Sequence, residues 1–480
     1  MTAVIGSKYQ QKREKIFFVV CLSLLFAGIC SSVADEAEPK EEEKIEDFSF
    51  AERTESWIEQ SKNPLPWLKW GADLRIRPEY YSNTKQNNDT SDHELNQQRI
   101  RFRVWTEMEP FENFSFYIRG NNESRTYIKP DSEQGYFGEL LIDGFYLKAE
   151  AEEIPLQFKL GRQELSNLKV PWLIQDGTTQ DGTRSTFFDS ARISYEFSDG
   201  DTTLDAVYMY MCARSDSWLP PIGRRPSEKY VAEQDIQGGI LLARNRSLED
   251  LTLEGLLIYT HAYESDLNQG WTGDLVTVRP KVVYEWDDCW SWSTEIAGQF
   301  GRRGDHQGEN MKPVLAYGGL SQLDYSFNDS WNTKLSFALE YLSGNRKDSS
   351  VDNRFDVLWG RYSRLGELMS YSTRLDGGRK YDYFNMASPY LAITLQPMEK
   401  LTLGANYRAM FAPENPYAGD ENHSVNGHFK GHLLRVRTDY AFSKHLAAHI
   451  LFETLQPGDY YSSNADDPIY YIRCELNLSY

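Results

Sequence analysis

From Trp67 to the C-terminus, apolar and polar residues alternate in short segments, with a repeat of two. In Arg99–Glu109, Ile100, Phe102, Val104, Thr106 and Met108 share one face, and Arg99, Arg101, Arg103, Trp105, Glu107 and Glu109 share the other. Upstream, Trp70, Ala72, Leu74 and Ile76 oppose Lys69, Gly71, Asp73, Arg75 and Arg77. Similar segments follow at Phe114–Arg119, Leu156–Leu160, Ser190–Phe197, Leu204–Met211, Leu251–Thr260, Val276–Trp286, Trp292–Gly301 and Gly319–Phe327. Thr333–Leu342, Leu391–Leu395, Leu401–Phe411, Leu434–Phe442, Leu446–Glu453 and Ile472–Tyr480 complete the series. The pattern predicts an all-β chain. Two segments, Leu204–Met211 and Leu251–Thr260, are apolar on both faces in places, and Pro280 interrupts another with a residue that donates no hydrogen bond. Pro110–Asn113, Ser198–Asp201 and Asn328–Ser330 read as tight turns on one rim. Glu264–Asp274, Arg302–Lys312, Ser343–Asn353 and Pro413–Phe429 read as long polar loops on the other. At about 25 residues per strand and connection, residues 67–480 hold roughly 18 strands with no linker between domains.

Two settings accommodate such strands: a soluble antiparallel sheet with one solvated face, or a barrel whose apolar face meets lipid and whose polar face lines a wet lumen. The arginines of Arg99–Arg103 stand about 7 Å apart, so neighbours repel by roughly 2 kcal/mol at an effective dielectric of 20, and about 0.6 in water. Such a row needs water or anions around it. The last segment favours the barrel. Ile472, Cys474, Leu476, Leu478 and Tyr480 point one way and Arg473, Glu475, Asn477 and Ser479 the other, and the chain stops on an aromatic residue.

The other terminus gives the destination. A basic region (Lys8, Lys12, Arg13, Lys15), an apolar run from Ile16 to Ile29 and Ser32-Val33-Ala34 predict a signal peptide with cleavage before Asp35. A retained helix is disfavoured by the short run, and a lipoprotein by the poor box before Cys30. Cleavage removes four cations and one anion from totals of 51 and 71, leaving a charge of −23, which argues against nucleic acid as a partner. Residues 35–66 begin acidic and poor in apolar groups and are expected to be largely disordered, with a short helix within Phe48–Pro66. Mean hydropathy is −0.59 and no later run could form a membrane helix, a combination a β-barrel tolerates. Aromatic residues, at 14%, are plentiful enough for girdles at membrane interfaces. Cys212, Cys289 and Cys474 offer neither a disulfide framework nor a zinc pattern.

The sequence resembles the alginate-export family of outer-membrane channels over most of Trp67–Tyr480. The resemblance rests on Gly161-Arg-Gln-Glu-Leu165, Gly182-Thr-Arg-Ser-Thr-Phe-Phe-Asp-Ser-Ala-Arg192, Tyr341-Leu-Ser-Gly344, Arg354-Phe-Asp-Val-Leu358 and Pro457-Gly-Asp-Tyr-Tyr461, in that order. Where the family turns through Gly-Asp after Leu165, this chain has Ser166-Asn-Leu-Lys169. The resemblance implies a single transmembrane antiparallel barrel of 18 strands, with short periplasmic turns and longer extracellular loops. It also implies export of an anionic polysaccharide.

Strand parity places Lys69, Arg75, Arg77, Arg99, Arg101, Arg103, Arg119, Lys159, Arg192, Arg279, Lys281, Arg408, Arg435, Arg437 and Arg473 inside. Inward acids are Asp73, Glu107, Glu109, Glu196, Glu285, Glu295, Asp324, Asp439 and Glu475. The predicted lumen therefore leans basic although the protein is acidic. Arginine's planar fork binds carboxylates in pairs, and many weak wet contacts would let a uronate polymer slide. The competing reading is that these arginines and acids pair across strands to fill the barrel. Arg75, Arg77, Arg99, Arg101, Arg103, Arg119, Arg192, Arg408, Arg435, Arg437 and Arg473 are the expected pore-lining set. Arg162 and Asp189, with Arg184 or Arg192 nearby, are an expected scaffolding ion pair, and Tyr480 a structural terminus. Asp305, His306 and Glu309 share a loop that solvation explains as well as a metal does. No cofactor or catalytic constellation is expected. A general or small-anion porin is the nearest alternative, and a polysaccharide-acting outer-membrane enzyme a more distant one. The expected partners are an acidic polysaccharide, outer-membrane lipid, the barrel-assembly machinery through the last strand, and periplasmic export components.

Overall fold

A computed structural model describes residues 61–83, 87–89, 93–130, 140–175, 186–197, 200–212, 218–223, 235–264, 271–305, 308–360, 364–369, 375–376 and 383–480. The expected signal peptide, residues 35–60, Arg184 and His306 lie outside them.

The strands are β1 (Leu68–Ser82), β2 (Leu95–Phe111), β3 (Phe114–Lys129), β4 (Leu140–Glu150), β5 (Leu156–Gln163), β6 (Phe188–Glu196), β7 (Thr202–Met211), β8 (Ile236–Leu248) and β9 (Leu251–Ala262). They continue as β10 (Thr272–Glu285), β11 (Trp290–Gly304), β12 (Lys312–Ser326), β13 (Lys334–Leu342), β14 (Met386–Met398), β15 (Leu401–Phe411), β16 (Phe429–Ser443), β17 (Leu446–Pro457) and β18 (Ile469–Ser479). Each pairs antiparallel with the next, and β18 returns to β1 to close an 18-stranded barrel. At that seam Leu74 faces Leu478 and Ile76 faces Leu476. Tyr480 exchanges backbone hydrogen bonds with Ala72, at 2.7 and 3.4 Å, and its ring lies 4.6 Å from that of Trp70. The chain before the barrel is tied to the same place: Trp70 Nε1 donates to the Ser61 carbonyl at 2.8 Å, and Ser61 Oγ meets the Tyr480 hydroxyl.

The period-two pattern has the sense that alternation predicts. Ile100, Phe102 and Val104 are outward and exposed (39, 49 and 41%), while Arg99 and Arg101 are buried inside. Trp286, Trp290, Phe327 and Trp331 are exposed at the short-turn rim, as aromatic residues at a membrane interface are. A one-residue slip would exchange the faces of every strand. Cysteines at Phe102 or Val104 should therefore react with lipid-soluble maleimides, and cysteines at Arg101 or Arg103 with membrane-impermeant ones. Labelling in the opposite sense would place the barrel in the wrong register.

Two strands have no counterpart among the alternating segments, β4 and β8, and glycines break the pattern in both. A Cβ on Gly144 would sit 2.7 Å from the Tyr117 ring, and one on Gly238 would sit 2.2 Å from the Tyr259 carbonyl oxygen. Pro280 pairs with Gly255 on β9, while the ladder to β11 skips Arg279 and Pro280 and resumes in register.

The segments that are apolar on both faces have a direct cause. Leu204, Tyr208 and Tyr210 face outward, whereas Val207 and Met209 face inward and are buried; in β9, Leu253 and Leu257 face outward and Leu256 and Ile258 inward. The inner residues pack on two long loops folded into the barrel, 164–187 and 343–385, in their described parts. Leu165, Leu168, Trp172 and Leu173 of the first meet Phe355, Trp359, Leu365 and Leu368 of the second in one buried cluster. The Trp172 and Phe355 rings stack 5.4 Å apart, and Leu173–Gln175 and Trp359 share backbone hydrogen bonds of 3.0 and 3.3 Å. Each large side chain so buried contributes about 1.5–3 kcal/mol, enough to hold irregular backbone inside the barrel. The lumen is thus divided. The apolar cluster of the loops spans β6–β13 and reaches on to Leu433, Leu451, Leu455 and Ile469 of β16–β18, while charged side chains line β15–β18, β1 and β2 toward the short-turn rim.

Candidate functional site

The arginine row meets acids that the short sequence segments did not include. β1 runs on to Ser82 and β3 to Lys129, and these extensions carry Glu79 and Glu123 inward. Arg75 donates to Glu123 at 3.0 Å, and Arg99 bridges Glu123 at 3.0 Å and Glu79 at 3.3 Å. Arg77 pairs with Glu475, and Arg473 with Glu367, which descends from loop 343–385, at 2.5 Å. The expectation that water or anions must surround the row is corrected at this level, where neighbouring strands supply carboxylates at cross-strand distance. Other inward acids absent from the sequence reading serve likewise. Asp143 holds Arg119 at 2.6 Å, Asp205 holds Arg192 at 2.6 Å, and Glu453 holds Arg435 at 3.2 Å.

Closer to the short-turn rim the balance changes. Arg101 and Arg103 share one carboxylate, Asp73, at 3.4 and 2.7 Å. Arg101 Nε and Arg103 Nη1 are buried with no protein acceptor. Both residues line a cavity of about 480 Å³ with Arg75, Arg77, Arg437 and Lys400. Asp73, Glu399, Asp439 and Glu475 are its four acids against these six cations. Guanidinium groups with unfilled donors beside a cavity suit an anionic oxygen, because burying such donors unpaired is costly. Arg437 donates to Asp439 through Nε at 2.7 Å and Nη2 at 2.5 Å, and the same Nη2 lies 3.5 Å from His449 Nδ1.

The remaining expected residues separate from this path. Arg408 lies beneath the loops, 3.4 Å from Glu340 and 3.9 Å over the Tyr390 ring. Arg192 also reaches Asn167 in the Ser166–Lys169 stretch, at 2.5 Å. Arg162 grips Asp189 with two bonds of 2.8 and 3.0 Å and the Ile142 carbonyl at 2.9 Å, with Trp218 Nε1 donating to Asp189 from the other side. Asp305 accepts from the Glu309 backbone at 2.9 Å and from Asn310 at 3.0 Å, a turn within its own loop. Among the described residues no group of three His, Cys, Asp or Glu could hold a metal ion.

The model of the alginate export family matches residues 66–474. The chain belongs to that family. No curated protein matches it. Among solved structures it is similar to Pseudomonas aeruginosa OpdL (TM-score 0.55, 12% identity, covering 86% of this chain and 98% of that one) and to Acinetobacter baumannii OccAB2 (0.54, 13%, 86% and 98%). Pseudomonas aeruginosa OccK5 (OpdH) is similar as well (0.53, 11%, 85% and 97%). At these identities the likeness is one of fold. Like its relatives in the alginate export family, the chain is an outer-membrane β-barrel channel, so the short turns lie on the periplasmic side and the long loops outside.

One extracellular cluster of this family member joins a histidine, a lysine and two aspartates. His423 Nδ1 faces Asp420 at 2.7 Å, and its Nε2 faces Asp376 at 3.2 Å, while Lys430 donates to Asp376 at 2.6 Å. Burial opposes the charged imidazole, but the hydrogen bonds to Asp376 and Asp420 outweigh it and raise the His423 pKa. Burial also opposes the Asp376 carboxylate, yet Lys430 and His423 hold its pKa down. A raised histidine pKa contributes fully below about 6.5 and is lost as pH rises through the raised value. A depressed aspartate pKa contributes above about 3.9 and is lost as pH falls through the depressed value. Proteolysis of residues 412–428 should therefore be slowest between about pH 4 and 6.5 and quicken toward pH 8. Asp376→Asn should flatten that profile; a profile unchanged by the substitution would mean that the ion cluster does not hold the loop.

Proposed function

We propose that the chain is a passive channel for an acidic, uronate-type polysaccharide, guided along the charged side of its lumen. The observation that carries the reading is the periplasmic cavity, where Arg101 and Arg103 share Asp73 and cations outnumber acids six to four. A polymer with one carboxylate per sugar could exchange among Arg103, Arg101, Arg77 and Arg437 without a single tight site to trap it. The family name, alginate export, fits that substrate class. Barrel-assembly machinery acting on the last strand, outer-membrane lipid and periplasmic export components remain the partners this reading implies.

In planar bilayers, oligouronates added on the periplasmic side should interrupt the current. Neutral glucans of the same length should leave it open at those concentrations. Equal block by both would replace this reading with a general porin, and a pore that neither enters would point to small anions.

A further inference from the structure

Resting on the polysaccharide reading, the geometry points to a sugar-stacking platform on the inner wall beside the arginine cavity, which we assign to Trp105, Tyr117 and Tyr146. Parity turns all three inward: Trp105 follows Arg103 on β2, Tyr117 precedes Arg119 on β3, and Tyr146 lies directly across from Tyr117 on β4. Their rings form a shingled row. Trp105 and Tyr117 are 6.1 Å apart with planes 22° from parallel, and Tyr117 and Tyr146 are 4.8 Å apart at 15°. Lys159 ends the row, its ammonium 3.7 Å from the centre of the Tyr146 ring.

The wall is shaped for these rings. A Cβ on Gly71 would lie 2.7 Å from the Trp105 indole, and one on Gly144 would lie 2.7 Å from the Tyr117 ring. Glycine at both positions lets the rings lean onto the sheet rather than stand away from it. All three are half-buried on the inner wall, whereas aromatic residues serving the packed loops, such as Trp172 and Phe355, are almost wholly buried.

A pyranose ring has an apolar C–H face and, in a uronate, a carboxylate at its edge. Ring-to-ring steps of 6.1 and 4.8 Å are on the scale of one sugar unit. Arg103, two residues along from Trp105, and Lys159 at the row's end stand where edge carboxylates would fall, while Arg119 is taken up by Asp143 and Glu164. The platform makes the channel recognise sugars as well as charge, and its aromatic faces are sequence-tolerant in the way stacking surfaces are.

The test compares two polyanions on the full-length protein: oligouronates, which have sugar faces, and polyglutamate of equal charge number, which has none. In the wild-type channel, oligouronates should block for longer than polyglutamate. Tyr146→Leu and Trp105→Leu should each shorten oligouronate blocks about five- to tenfold and leave polyglutamate blocks unchanged. Tyr146→Phe, which keeps the ring, should behave as wild type. Equal residence of the two polyanions in the wild type, or equal loss of both in the leucine variants, would overturn the platform. Channels that oligouronates do not block at all would instead refute the polysaccharide reading on which it rests.

Discussion

Replacing Leu476 and Leu478 by aspartate should leave the protein unfolded in the periplasm, with no heat-modifiable band on a gel. Both face outward on β18, directly across the closing seam from Ile76 and Leu74. A charge on the lipid face costs roughly 2–4 kcal/mol near mid-bilayer and less toward the rim, so two charges consume much of the 5–15 kcal/mol that typically separates folded from unfolded protein. Deleting Tyr480 should act in the same direction with smaller effect. It removes two backbone hydrogen bonds to Ala72 and the ring contact with Trp70 at the point where the barrel closes. Normal insertion of the double aspartate variant would contradict the placement of β18 against lipid.

Trp172→Ala should widen the pore while leaving the barrel assembled. The indole is 1% exposed, stacks on Phe355 and donates to Glu340 Oε1 at 3.0 Å, so it joins both inward loops to the wall at β13. Truncating a buried tryptophan typically costs about 3–5 kcal/mol, and here the loss falls on the docking of two loops rather than on any strand ladder. Glu340 keeps Arg364 at 2.6 Å and Arg408 at 3.4 Å, so no charge is stranded. Single-channel conductance should rise several-fold, with gel mobility and thermal stability of the barrel close to wild type. Unchanged conductance would mean that the loops do not limit the pore.

The barrel was legible because lipid and lumen impose opposite chemistry on alternate residues, which writes strands such as β2 and β18 directly into the sequence. Strands β4 and β8 were not legible because Gly144, Gly238 and Gly239 blur the alternation at points where the backbone or a ring approaches closely. The charged site was only half legible. Parity identifies its arginines, but Glu79 and Glu123 sit beyond the alternating segments, Asp143 lies on β4, and Asp205 and Glu453 stand within segments that are otherwise mostly apolar, so the lumen reads as more basic than it is. A signal for the inward loops was present. Leu165–Ile174 and Phe355–Trp359 are too apolar for exposed connections, and Leu204–Met211 and Leu251–Thr260 need a second apolar partner inside. Those two facts explain each other only when the loops are seen to fold into the barrel.

A charged lumen wall of this kind should prefer anions, and a reversal potential measures that preference directly. Purified protein in a planar bilayer under a salt gradient should give a potential that favours chloride. Arg101→Glu with Arg103→Glu should weaken or reverse that preference, because both residues line the cavity and share the Asp73 carboxylate. Both effects should shrink as the Debye length falls from about 10 Å at 0.1 M salt to about 3 Å at 1 M. A folded wild-type pore that prefers cations would contradict the account.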